Sequence, residues 1–200
     1  MKPEDRARLY NERFPKRPPL SGGSWVTGTW MIGACYRNPN RLYGAYPHGY
    51  LERVHAMFPD AREILHAFSG GMDLPSAREL ARVEATKIEL VDVMGPEQGR
   101  HPTWQGQVTG MPAAWRGRFD LVLADPPYSA ADAEKYGTQM INRGEVMRAL
   151  RRVTRVGGNL AWLDTAWPMH RKSDWRCWGT VGLVRSTNHR VRLASFFEAT

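Results

Sequence analysis

Residues 119–128 read FDLVLADPPY, an apolar run from Phe119 to Ala124 broken at once by Asp125-Pro126-Pro127-Tyr128. A short, nearly continuous apolar run bounded by prolines reads as a strand buried on both faces, the kind a parallel sheet requires. The two prolines have fixed φ and carry no N–H. Pro126 also confines Asp125 to extended backbone. The result is a stiff hook at the end of a buried strand. It presents a carboxylate, backbone carbonyls and the Tyr128 ring. Acceptors beside a ring suit a planar group with an exocyclic amine, such as a nucleobase.

Outward from this stretch the pattern alternates. Upstream, Leu51 to Phe58 has helical spacing and is stopped by Pro59. Arg62 to Phe68 reads as a strand entering Ser69-Gly70-Gly71. Leu74 to Ala85 reads as a helix, with Pro75 in its first turn and Ser76-x-x-Glu79 as a capping box. Lys87 to Val91 is a strand ending in Asp92, and Trp104 to Val108 a further short one. Downstream, Gly144 to Val156 is helical and closed by Gly157-Gly158, and Asn159 to Leu163 is a strand. Trp178 to Arg185 and Arg190 to Phe197 form a hairpin about residues 186–189. Strands alternating with helices predict an α/β fold with a parallel sheet covered on both faces and antiparallel strands at one edge. Ligands in such sheets sit beyond the carboxyl ends of strands, at the switch point.

Residues 24–50 show little periodicity and read as loop with short extended pieces. Lys2 to Phe14 reads as one or two helical turns, and Phe14 to Gly23 is rich in breakers. Residues 1–23 are thus expected to form an arm and linker, and 24–200 one domain.

The chain has 200 residues, 42% of them apolar and 24% charged, which fits an ordinary globular domain. No apolar run is long enough to cross a bilayer, and the first residues lack a secretory apolar core. Two cysteines, Cys35 and Cys177, exclude a disulfide framework and an all-cysteine zinc site. A reducing compartment, the cytoplasm, is expected. The six histidines show no metal-ligand spacing, so no metal is expected. The formal charge is +8, and between Ile141 and Thr200 eleven Arg and Lys face four Asp and Glu. This balance favours a polyanion as partner.

The glycine turn after Phe68 fits either a structural turn or a close backbone approach to a ligand. Asp92 stands twenty-two residues after Gly70. It is either a solvated strand-end acid or a ribose-hydroxyl acceptor. Most of the eight tryptophans are expected in the core; Trp162, Trp167, Trp175 and Trp178, set among basic residues, are the better candidates for base stacking. Residues 129–136 read as a mobile lid or a plain helix start.

The chain resembles the class I S-adenosylmethionine-dependent methyltransferases of exocyclic amines, above all the DNA N6-adenine methyltransferases of phage or restriction-modification type. The likeness covers roughly Tyr43 to Phe197. The family's catalytic DPPY falls on Asp125 to Tyr128. Its D-P-F-x-G-x-G motif falls on His66 to Met72, where Phe68 and Gly70 match, His66 stands for the acid and Met72 for the last glycine. The resemblance implies a Rossmann-like fold with a mostly parallel seven-stranded sheet. It implies S-adenosyl-L-methionine as cofactor, held by Tyr46, Pro47, His66, Phe68, Ser69, Gly70, Asp92, Gln107 and Asp125. Asp125 and the Pro126 carbonyl would accept the amine N–H bonds, with Pro127 stiffening the hook and Tyr128 stacking on the base.

Only twenty-six residues separate Asp92 from Phe119, and seventy-two follow Tyr128, so no separate target-recognition domain is expected. The implied partner is nucleic acid, DNA before RNA, bound by a monomer or homodimer. Methylation of an RNA guanine or adenine, a non-catalytic nucleic-acid-binding relative, and methylation of a protein glutamine remain as alternatives.

Overall fold

The computed structural model describes residues 1–32, 46–81, 87–185 and 191–200. At its centre lies β5 (Phe119–Ala124), as the apolar run predicts. Around it follow α1 (Pro3–Arg13), β1 (Val26–Ile32), α2 (Tyr50–Met57), β2 (Glu63–Ala67), α3 (Leu74–Ala81), β3 (Lys87–Asp92) and β4 (Trp104–Gln105). After β5 come α4 (Ala130–Lys135), α5 (Arg143–Val153), β6 (Thr154–Asp164), β7 (Trp175–Arg185) and β8 (Val191–Ala199).

These strands form one eight-stranded sheet in the order β1-β7-β8-β6-β5-β2-β3-β4. All neighbours are parallel except β8, which is antiparallel to both β6 and β7. Alternate residues of each strand enter two cores. One lies under α1, α2 and α3 and holds Ile64, Leu90, Leu121, Leu123, Trp30 and Phe196. The other lies under α5 and holds Leu65, Val91, Val122, Leu160, Trp162 and Phe197. Both faces of the central strands are therefore removed from water, which is why β5 carries no polar alternation.

Several expectations are corrected. The sheet has an eighth strand: β1 pairs in parallel with β7, and it buries Val26, Trp30 and Ile32 while Met31 faces solvent. Gly28 diluted its alternation, and there the missing Cβ admits Leu20, which a Cβ would approach to 2.7 Å. The closing hairpin is consequently not at an edge, since β1 covers the outer side of β7. Trp104 to Val108 yields only a two-residue strand, followed by a 3-10 turn at Val108–Gly110. The pair Gly157-Gly158 does not end a helix: α5 stops at Val153 and β6 starts at Thr154. The glycines form an irregularity in β6 opposite Phe119, with Gly157 at φ 73°. A Cβ on Gly158 would stand 2.8 Å from the Phe119 carbonyl, so glycine is required there.

The opening helix packs on the body of the protein. Ala7 and Tyr10 are buried, and Tyr10 stacks on Trp30 with ring centroids 5.6 Å apart. Arg6 donates to the Met57 carbonyl at 2.7 Å and lies over the Phe58 ring. Asn11 bonds the backbone of Leu20 both ways, at 2.8 and 3.0 Å, which ties down the proline-rich stretch. Asp73, rather than Ser76, caps α3, accepting from the Ser76 N–H at 2.9 Å. The turn between β7 and β8 and the helical pattern beyond Ala81 lie outside the described residues.

Candidate active site

The strand order reverses between β2 and β5, which makes that junction the switch point of the sheet. Ala67 pairs with Ala124 on one side and with Val91 on the other. Phe68, Asp92 and Asp125 therefore emerge side by side at the carboxyl ends of three adjacent strands. The register alone brings the glycine turn, the strand-end acid and the hook to one edge.

Within the hook, Pro126 and Pro127 are buried while Asp125 and Tyr128 keep part of their surface. The Tyr128 hydroxyl donates to Asp125 Oδ1. Burial lifts the Asp125 carboxyl to about 7, against the pull of the Tyr128 hydrogen bond and the Arg192 charge; the charge of Asp164 adds to the rise. Burial and the Asp125 charge also hold the Tyr128 phenol well above its usual range, so it remains a donor. Arg192, at the start of β8, places its guanidinium over the Tyr128 ring, 4.4 Å from the centroid. Arg143, the first residue of α5, reaches the Tyr128 carbonyl at 3.1 Å. It also holds the fully buried Asp164 through two bonds, of 2.7 and 3.1 Å.

On the other side of the switch point, Phe68 takes φ 62° and Gly70 φ 59°. Asp92 Oδ2 accepts from the Gly70 N–H and Oδ1 from the Met94 N–H, both at 2.9 Å. Each carboxylate oxygen keeps a second lone pair. Asp92 thus braces the turn and can still accept from a ligand. Beneath the turn lies a buried polar group: His55, His66, Tyr46 and Tyr50, with Tyr46 stacked on Tyr50 and edge-on to His66, each at 5.8 Å. Both ring nitrogens of His66, the Tyr50 hydroxyl and Ser69 Oγ have no hydrogen-bond partner among the described residues. Burial lowers His55 to about 4; burial, then the neighbouring His55, lowers His66 to about 3, so both rings are neutral.

No protein-family model matches the chain, and no curated protein matches it in sequence. Among solved structures, it is similar to the Burkholderia thailandensis 1,6-didemethyltoxoflavin-N1-methyltransferase with bound 1,6-didemethyltoxoflavin and S-adenosylhomocysteine. The TM-score is 0.54 at 13% identity, over 75% of this chain and 76% of that one. TrmN from Thermus thermophilus gives 0.52 at 12% identity, over 74% of this chain and 48% of that one. The chain has the Rossmann-like class I methyltransferase fold. Seven of its strands, β2 to β8, make the mostly parallel sheet that was expected, and β1 extends that sheet beyond β7.

Of the sequence-predicted residues, the fold gathers Asp125, Pro126, Pro127 and Tyr128 with Phe68, Ser69, Gly70 and Asp92. His66 lies below, in the buried layer, and the rise in the Tyr46 phenol reflects burial first and then the charges of Asp125 and Asp92. Pro47 is buried beside Tyr46. Gln107 is not brought in by any bond among the described residues; it is exposed at the head of the Val108–Gly110 turn. Gln105 is better placed, since it pairs with Asp92 across the strands and donates to the Val93 carbonyl at 3.4 Å. Residues 129–136 form a capped helix, α4, whose following Gly137 lies beside Met94.

Trp162, Trp175 and Trp178 are core residues, whereas Trp167 is exposed and stacks on exposed Trp25 at 5.8 Å. Arg143, Asp164 and Arg192 escaped the sequence reading altogether. Among the described residues no cluster of His, Cys, Asp and Glu could hold a metal, and no helix is long and apolar enough to cross a membrane.

Proposed function

We propose that the protein is an S-adenosylmethionine-dependent methyltransferase acting on an exocyclic amine of a nucleic-acid base, adenine N6 in DNA. The observation that carries this reading is the hook itself: a partly open carboxylate, lifted to about 7, at the switch point and side by side with Asp92 and the Gly70 turn. The residues fit the cofactor. Gly70 and Phe68 open the backbone, Asp92 retains acceptor capacity for ribose hydroxyls, and orphaned polar atoms stand in the turn at Ser69 and in the strand leading to it at His66. When bound, S-adenosylmethionine supplies an electrophilic methyl group.

The chain supplies the rest. An adenine amine is a poor nucleophile because its lone pair is delocalised into the ring. Asp125 and the Pro126 carbonyl accept its two N–H bonds and draw the nitrogen toward tetrahedral geometry. Positive charge developing there meets fixed acceptors that need no reorganisation as it forms. Asp125, near 7, is also suited to take the proton the amine sheds. The prolines hold these oxygens in place, and alignment supplies much of the remaining acceleration. The Tyr128 ring face opposite Arg192 receives the base, which is flipped from a duplex at about a few kcal/mol. The basic last third and the stacked Trp25–Trp167 pair bind the strand around the target.

Incubation with methyl-labelled cofactor and DNA, then digestion to nucleosides, tests this reading. Labelled N6-methyldeoxyadenosine supports it. Label in RNA or on guanine replaces the substrate; no label on DNA or RNA and no cofactor binding by calorimetry removes the enzyme.

A further inference from the structure

We propose that Arg143 and Asp164 are positioning residues for the hook, fixing Tyr128, and through it Asp125, from behind. The inference rests on the reading of Asp125 given above.

Asp164 closes β6 as a fully buried carboxylate. It accepts from Arg143 Nε at 2.7 Å, Arg143 Nη2 at 3.1 Å, the Thr165 N–H at 2.7 Å and Trp162 Nε1 at 3.3 Å. Arg143 Nη2 has a second hydrogen, and that one meets the Tyr128 carbonyl at 3.1 Å. A planar fork thus joins the ends of β6, α5 and the hook. Helix preference does not explain it: Arg143 is the first residue of α5, where the helix dipole disfavours a cation.

The carbonyl it holds follows two prolines, so there is little backbone freedom through which a displacement could relax. Tyr128 is then fixed at its carbonyl by Arg143, at its hydroxyl by Asp125 and on one ring face by Arg192. Asp164 acts on Asp125 electrostatically as well, its charge contributing to the raised carboxyl.

A pair that only stabilised the fold would leave kcat unchanged in any variant that still folds. Arg143→Lys keeps the charge that compensates Asp164, but a point ammonium cannot span both carboxylate oxygens and the carbonyl. The expected result is a folded variant with unchanged cofactor affinity and KM, and kcat lowered about 100-fold, the effect of displacing a reacting group by about 1 Å. Its acid limb in the pH–rate profile stays in place. In Asp164→Asn that limb moves to lower pH, because a negative charge near Asp125 has gone.

The double variant Arg143→Met/Asp164→Leu replaces the buried pair by apolar groups and keeps the fold without the fork. It should lose kcat to the same extent, and it serves if the lysine variant does not fold. Asp125→Asn is measured alongside. If Asp125→Asn is inactive while a folded fork variant keeps kcat within about twofold, or loses only KM, the positioning role is overturned. If Asp125→Asn itself retains full turnover, the reading of Asp125 falls first.

Discussion

Replacing Asp125 by asparagine should make the protein more stable above neutral pH while removing its turnover. The ordinary carboxyl value of 3.8 rises to about 7 in the fold, chiefly through burial. The folded state therefore holds a proton on Asp125 that the unfolded chain releases at lower pH. A raised carboxyl contributes stability below about pH 4, and that contribution is lost as pH climbs through 7. At about 1.4 kcal/mol per pH unit the full rise corresponds to roughly 4 kcal/mol. Asp125 keeps part of its surface open to water, which screens the charge, so about 2 kcal/mol is the expected effect.

The amide has no charge to bury and its oxygen can still accept from the Tyr128 hydroxyl. Urea unfolding of both proteins at pH 4.5 and pH 8 isolates the contribution of this carboxyl. Any pH-independent cost of the amide cancels in the difference between the two conditions. The variant should gain about 2 kcal/mol relative to the parent on going from pH 4.5 to pH 8, and methyl transfer should fall by more than about 100-fold. Equal pH dependence in the two proteins would refute the claim that burial of this carboxyl is the cost of the site. Undiminished methyl transfer would refute its role.

Asp92→Ala removes the acceptor that braces Gly70 and Met94. Calorimetry should show cofactor affinity reduced about 10-fold or more, the scale of losing a charge-assisted hydrogen bond. His55 and His66 are buried neutral, at about 4 and about 3, so they contribute stability above 6.5 that is lost as pH falls toward 4. His55→Leu should flatten the acid side of the stability curve, read by thermal unfolding between pH 4 and pH 7. Trp25→Ala and Trp167→Ala lie on the surface and should change stability by less than about 1 kcal/mol. Each should weaken binding of a single-stranded oligonucleotide by about 1–3 kcal/mol, measured by anisotropy at fixed salt; unchanged affinity would exclude the pair from the interface.

The extent to which the site was legible follows from where its information resides. β5 and the hook are written in ten consecutive residues, and local chemistry suffices to place Asp125 at a strand end. Phe68, Gly70 and Asp92 were legible for the same reason, each lying at a strand-to-loop boundary that periodicity and glycine mark. β1 was not, because Gly28 and Met31 weaken a pattern whose meaning depends on a partner more than a hundred residues away, at β7. Gly157-Gly158 misled for a related reason: glycine pairs end helices, but here the glycine responds to the carbonyl of Phe119 across the sheet.

The residues behind the hook are the extreme case. Arg143 and Asp164 lie twenty-one positions apart, and each looks alone like a solvated charge at the end of an element. Only the register of β6 against β5 turns Asp164 inward at the same end as Tyr128. A buried carboxylate there demands a cation, and a helix start within reach supplies Arg143 despite its own dipole. The groups proposed as catalytic can thus be read from short motifs, whereas those proposed to aim them become visible only once the strands are laid side by side.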